Sequence, residues 1–253
     1  MAVGATAVLI AMRRELLARI KSHPGWKCID ADFSHLFGSW FDRGFLTLVR
    51  IDWNTPAIIL EKLIKYEAVH EISSWKELHR RLEADRRCFA FFHPVLPDEP
   101  LIFIEVALTQ GMSNAVQPLL DLETPIADPT KVDTAIFYSI TSCQEGLRGV
   151  SFGNLLIKQV AEQLGREFPR IKTFATLSPI PGFREWLKSA EDQLSATTAG
   201  RAAIAELGHL VDSQWWQQAD VSSRMRKILM PLCAYYVTQA KQNGEPLDAV
   251  ARF

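Results

Sequence analysis

The run from residue 134 to residue 178 fixes more of the fold than any other stretch of this chain. "TAIFYSIT" (134–141) is short and rich in β-branched and aromatic residues, the mark of a strand. "SCQEGLRGVSFGN" follows, and then "LLIKQVAEQLGREF", in which Leu156, Val160 and Leu164 recur at helical spacing. "IKTFATLS" (171–178) is again strand-like, and "PIPGF" stops it abruptly with Ser178 at its tip. Strand, glycine loop, helix and strand form a βαβ unit, which makes the two strands parallel and their crossover right-handed.

The rest of the chain is arranged around that unit. "RCFAFFHP" (87–94) and "PLIFIEVALT" (100–109) are two further strands, bounded by proline and aspartate. In the second, Ile102, Ile104, Val106 and Leu108 alternate with Phe103, Glu105 and Ala107, so a sheet covered on both faces is expected. Three- and four-residue apolar steps over Ala7–Lys21, Pro56–Tyr66 and Trp75–Glu83 make the first third helical. Asn54 or Thr55 is placed to cap the helix that Pro56 opens. From Pro179 to about Asn243 the pattern is helical again, in "GFREWLKSAEDQL", "AAIAELGHL" and "MRKILMPLCAYYVTQAKQ", with Pro231 expected to end or kink the last helix. The fold class is α/β (α+β): a partial helical N-terminal domain over 1–85, then a mixed-sheet domain with a helical insertion over 86–253.

Charge narrows the choice of partner. With 28 Lys+Arg against 29 Asp+Glu, no general field draws nucleic acid or anionic lipid to this protein, so any anion must be held by a local site. A small-molecule partner is expected, with no nucleic acid and no membrane. Cys28, Cys88, Cys143 and Cys233 lie far apart with no CxxC pair, which fits a reducing, cytoplasmic compartment. The opening "MAVGATAVLIAMRREL" carries its charges after its apolar run, so it reads as the start of a helix rather than a signal peptide. No His/Cys/Asp cluster has metal-ligand spacing, and no metal or separate cofactor is expected.

The glycine loop offers the first chemistry. Gly146, Gly149 and Gly153 follow a strand and open a helix, where backbone N–H groups can approach a phosphate at the positive helix end. The spacing matches neither the Walker loop nor the dinucleotide fingerprint. A tight turn that needs positive φ explains the same glycines equally well. Arg148 is either a phosphate contact or a solvated surface residue.

"EPLIFIEVALT", "AIFYSI", "QEGLRGVSFGNLLIK" and "TLSPIPGFREWL" resemble the C-terminal catalytic domain of malonyl-CoA decarboxylases. "GSWFDRGFL" and "ILEKLIKYEAVHEI" are similar to the end of that family's helical N-terminal domain. The resemblance covers nearly the whole chain. It implies a catalytic domain related to the acetyltransferase superfamily, with coenzyme A bound through Arg148, Gly149, Val150, Ser151, Phe152, Gly153 and Asn154. Ser151 departs from relatives that carry a carboxylate at its position.

The resemblance also implies a reaction. Malonyl-CoA loses carbon dioxide to leave a thioester enolate, which the site must stabilise and protonate at carbon. By resemblance Ser178 is the catalytic serine; by its local text it caps the helix "GFREWL". The family's proton-donating histidine lies in an HLxNGA-like motif just after a segment like "PVARF". Here "PLDAVARF" runs to Phe253, so the chain is expected to be truncated before that histidine and the last strands, with reduced activity. His93 is a weak substitute, since a histidine before proline at a strand end is more often packed in a loop. His70, His79 and His209 read as helix residues, and His23 and His35 lie in the N-terminal third. Glu105 is either a base or a carboxylate that reaches solvent or an arginine near a strand end. Malonyl-CoA decarboxylase, a CoA-dependent acyltransferase and a non-catalytic CoA-binding remnant are the three functions these readings leave open. The expected partners are malonyl-CoA and acetyl-CoA, in fatty acid metabolism, with a homo-oligomer assembled through the helical domain.

Overall fold

The computed structural model describes residues 4–150, 153–189 and 215–252, which divide into two compact units, 1–177 and 178–253.

The first unit is a five-stranded mixed sheet flanked by helices. Helices α1 (Ala5–Arg19) and α2 (Lys27–Trp40) come first, followed by β1 (Thr47–Ile51), α3 (Ala57–Tyr66), α4 (Trp75–Arg81), β2 (Arg86–Phe92) and β3 (Ile102–Thr109). The short α5 (Gln117–Leu120), β4 (Thr134–Ser142), α6 (Gly153–Glu167) and β5 (Thr173–Thr176) complete it. The sheet order is β1-β2-β3-β4-β5, antiparallel throughout except for the parallel β4/β5 pair that α6 connects. The expected βαβ unit is therefore present, as are all four expected strands.

Alternation in β3 sets two cores apart. Ile102, Ile104, Val106 and Leu108 join Phe37, Phe137, Leu156, Val160 and Leu164 in the core under α1, α2 and α6. Phe103 packs on the other face with Leu63, Leu78 and Cys88, and Ala107 with Tyr138 and Leu119. At about 25 cal/mol per Å² of apolar surface, these two layers are the main stabilising contribution to the unit. A bulge interrupts the β3/β4 register between Glu105 and Val106, opposite Tyr138. An extra residue in one strand turns two successive side chains to one face. Phe137 accordingly points into the α6 core, while Tyr138, Ser139 and Thr141 point to the opposite side.

Several local expectations are corrected. β1 and α2 lie in stretches for which the periodicity gave no element. β1 is an edge strand with an exposed middle, so its burial alternates poorly, and it pairs with β2 from Thr47 opposite Phe92 to Ile51 opposite Cys88. Neither Asn54 nor Thr55 caps α3: Pro56 is the capping position, and Thr55 Oγ1 accepts from the Asp52 N–H at 3.0 Å to close the preceding turn. His70 lies beyond the end of α3, held in a loop whose N–H groups donate to Glu67.

The second unit contains α7 (Phe183–Ser189), α8 (Ala219–Gln239), a hairpin of β6 (Lys241–Gln242) and β7 (Glu245–Pro246), and α9 (Ala249–Arg252). Within it Tyr236 packs against Phe183 and Trp186, with ring centroids 5.7 and 5.2 Å apart. α8 continues through Pro231 rather than ending there; the ring removes one backbone donor but leaves the helix intact. "AAIAELGHL", including His209, lies outside the described residues. No helix among the described residues is long and apolar enough to cross a membrane.

Candidate functional site

The site is built where β4 hands the chain to α6. Beyond Ser142 the backbone closes a 3₁₀ turn over Glu145–Leu147, with the Leu147 N–H donating to the Gln144 carbonyl at 2.9 Å. The Arg148 N–H donates to Glu145 at 3.1 Å and the Val150 N–H to Leu147 at 3.0 Å. Between them Gly149 has φ +85°, a left-handed conformation with open space where a Cβ would stand. Both alternatives weighed for the loop are thus compatible: a glycine turn exists, and it delivers the chain to the N-terminus of a 15-residue helix.

The first turn of α6 leaves N–H groups with no intrahelical partner, and the aligned peptide dipoles make that end positive. Arg148 and Gly149 are exposed and Val150 is half-buried. Of the remaining expected CoA contacts, Gly153 and Asn154 open α6, whereas Ser151 and Phe152 lie outside the described residues. Because the Arg148 and Val150 N–H groups are already bonded, the donors left for an anion among the described residues are those of Gly149 and the start of α6. Arg148 offers its guanidinium instead.

β5 pairs with β4 only from Thr173 to Thr176, and the Leu177 N–H adds a last bond to the Phe137 carbonyl at 2.9 Å. β4 continues five residues further, to Ser142. Ser178 follows that last bond at the start of the second unit and is exposed. It sits five residues ahead of α7, too far to be its cap, so the helix-cap alternative is set aside.

On the face of β4 away from α6 lies a buried polar cluster that local patterns did not reveal. Arg81 Nη1 donates to Glu105 Oε2 at 2.5 Å and Nη2 to the His70 carbonyl at 2.6 Å. Glu67 Oε2 accepts from Ser139 at 2.8 Å and Thr141 at 3.2 Å. Glu105 is fully buried in mid-strand; it reaches an arginine, as one alternative expected, but not solvent. Burial raises its carboxyl to about 7; Arg81 opposes that shift and Glu67 reinforces it. Arg81 pairs directly with Glu105, and the charge of nearby Glu67 works against the ionisation of Glu105.

His93 is buried beside Phe41 at 4.9 Å between ring centroids, its Nδ1 accepting from the Val95 N–H at 3.3 Å. Burial holds its pKa below the ordinary value. It is a packed loop residue, as its position before proline suggested. All four cysteines are free thiols.

Comparison with known proteins decides the family. The sequence matches the family model of the malonyl-CoA decarboxylase C-terminal domain over residues 44–253, and that of the N-terminal domain over residues 1–41. The chain belongs to the malonyl-CoA decarboxylase family. It is 36% identical to the mitochondrial malonyl-CoA decarboxylase of Anser anser anser over 274 residues, an alignment covering 99% of this chain and 54% of that protein. The crystal structure of malonyl-CoA decarboxylase from Rhodopseudomonas palustris superimposes with a TM-score of 0.90 at 53% identity, covering 99% of this chain and 58% of that one. The enzyme from Agrobacterium vitis gives 0.88 at 49% identity, covering 100% and 62%. The chain thus spans little more than half the length of these relatives.

Proposed function

We propose that this chain binds malonyl-CoA through the β4–α6 loop and carries the serine of a decarboxylase that converts malonyl-CoA to acetyl-CoA and carbon dioxide. The observation that carries the reading is Gly149 in a left-handed turn at the open end of α6, in a chain of this family. A pyrophosphate placed there meets the Gly149 N–H and the first-turn donors of α6, with Arg148 beside it. The order β4, loop, α6, β5 is the one expected from the acetyltransferase-like fold that the family resemblance implies. In this assignment β1 is an edge strand supplied by the N-terminal part, 1–85, to the sheet of the catalytic part, 86–253.

In the reaction, the bond between the carboxylate carbon and the methylene carbon breaks and its electron pair moves into the thioester. Carbon dioxide leaves, the enolate oxygen carries the charge, and one proton from an acid or water is added at carbon to give acetyl-CoA. Ser178 donates a hydrogen bond to the malonyl group or the developing enolate oxygen; a neutral donor at such an oxyanion typically contributes about 10² to 10³ in rate. Ser178 needs to form no covalent bond. The reaction takes place without a metal or separate cofactor, in the cytoplasm, and in a homo-oligomer that assembles through the helical part.

The test is carbon dioxide release from malonyl-CoA, measured with CoA affinity in parallel. Ser178→Ala should lower turnover by about 10² while leaving CoA affinity within about twofold. An unchanged rate in the folded variant removes Ser178 from the mechanism. Absence of CoA binding by the wild-type chain removes the whole reading.

A further inference from the structure

The first half of the glycine loop is held from a distance by the N-terminal helices. Arg13 of α1 is buried and donates three hydrogen bonds in three directions: Nε to Asp30 Oδ1 at 2.8 Å, Nη2 to Ser34 Oγ at 2.8 Å, and Nη1 to the Gly146 carbonyl at 2.9 Å. Ser34 sends its own proton to the Asp30 carbonyl at 2.8 Å, which frees its lone pairs for Arg13. Gly146 packs so closely on α1 that a Cβ there would collide with the Ile10 carbonyl oxygen. The α1–loop contact is therefore fixed by one guanidinium and by the missing side chain of one glycine.

That contact reaches the anion-binding end of the loop through the backbone. Gly146 lies inside the 3₁₀ turn whose Gln144–Leu147 and Glu145–Arg148 bonds are followed by the Leu147–Val150 bond that encloses Gly149. Tilting the Gly146 peptide tilts each of these in turn. A guanidinium suits this task because its fork of donors is planar and rigid; a lysine ammonium cannot span three diverging acceptors.

We propose that Arg13 is a positioning residue for coenzyme A, holding the Gly146 peptide so that the Gly149 turn and the start of α6 face the pyrophosphate. The inference rests on the CoA reading of the loop. It goes beyond that reading by assigning part of CoA affinity to a residue of the N-terminal helices that touches no ligand.

The test compares two variants of the full chain. Arg13→Met removes the donors at similar length; Leu78→Ala loosens α4 packing on the opposite face of the sheet. In the unliganded protein Arg13→Met should speed amide hydrogen exchange at residues 147–150, and calorimetry should show CoA affinity falling roughly tenfold, within the range of measured couplings between linked sites. Leu78→Ala should lower thermal stability and leave both quantities unchanged. Arg13→Lys should recover at most a small part of the lost affinity. Should Arg13→Met fail to fold, Asp30→Asn, which weakens the anchor of the same guanidinium, is expected to reduce affinity about threefold. Affinity unchanged in Arg13→Met, or in Asp30→Asn in its place, overturns the assignment, as does an equal loss in Leu78→Ala. Failure of the wild-type chain to bind CoA overturns the CoA reading and this assignment together, whereas the variant results strike the assignment alone.

Discussion

Gly146 and Gly149 sit three residues apart in one loop and are glycines for opposite reasons. Gly146 is buried, and the Ile10 backbone of α1 occupies the place of its side chain. Gly149 is exposed with nothing within 4 Å of its missing Cβ, and only its φ of +85° demands glycine. The first half of the loop is a packing joint, while the second is a backbone conformation presented to solvent at a helix N-terminus. Filling the place of the Gly146 side chain should therefore cost mainly stability, because α1 must move, whereas a bulky residue at Gly149 should act mainly on the ligand.

The sharpest way to break this contrast is Gly146→Ala. The new methyl group meets backbone rather than a flexible side-chain tip, so α1 must move, and overpacking of this kind costs about 3 kcal/mol. Urea unfolding reads it; a loss below about 1 kcal/mol would mean that α1 is not tightly docked on the loop.

A change on the far face of β4 serves as a control, because it should alter stability without touching CoA. Glu105, surrounded by Arg81, Glu67, Tyr138 and Cys88, titrates at about 7 in the folded protein against 4.5 as its ordinary value. Its folded pKa is raised, so its contribution is complete below pH 4.5 and is lost as the pH rises to 7. The loss is of the order of 3 kcal/mol across that window. Glu105→Gln should flatten this part of the stability profile and leave CoA affinity unchanged. A variant that keeps the wild-type slope would place the titration elsewhere.

Smaller effects are expected in the exposed half of the loop. Gly149→Ala puts a Cβ on a left-handed residue and should cost about 1 kcal/mol by thermal unfolding. A neutral result would show that the turn relaxes readily. Arg148→Met should weaken CoA binding about threefold, as befits an exposed charge, with the loss fading as salt is raised. A loss independent of salt would give Arg148 a packing role.

Much of this architecture was legible in the sequence because it depends on local period. β3 is buried on both faces as its alternation required, and Leu156, Val160 and Leu164 of α6 are 1% exposed or less. The glycine loop was legible from its place between strand and helix. What escaped depends on contacts between distant residues. Arg13 and Gly146 are 133 positions apart, and Glu105 meets an Arg81 supplied by another element, so no local pattern announced either pairing. β1 escaped because, of its five residues, only Ile51 is buried and Leu48 half-buried, which leaves no regular alternation to read. Ser178 was conspicuous only through the family motif: its surroundings are a strand end and an exposed turn, which by themselves name no chemistry.

The proposed seat of CoA is the backbone at Gly149 and the start of α6. The direct measurement is a calorimetric titration of CoA into the wild-type chain and into Gly149→Val. A β-branched residue at φ +85° is strained and must move the turn, so the account predicts an affinity loss of at least about tenfold in a variant whose circular dichroism remains that of the folded protein. Unchanged CoA affinity in that folded variant would contradict the claim.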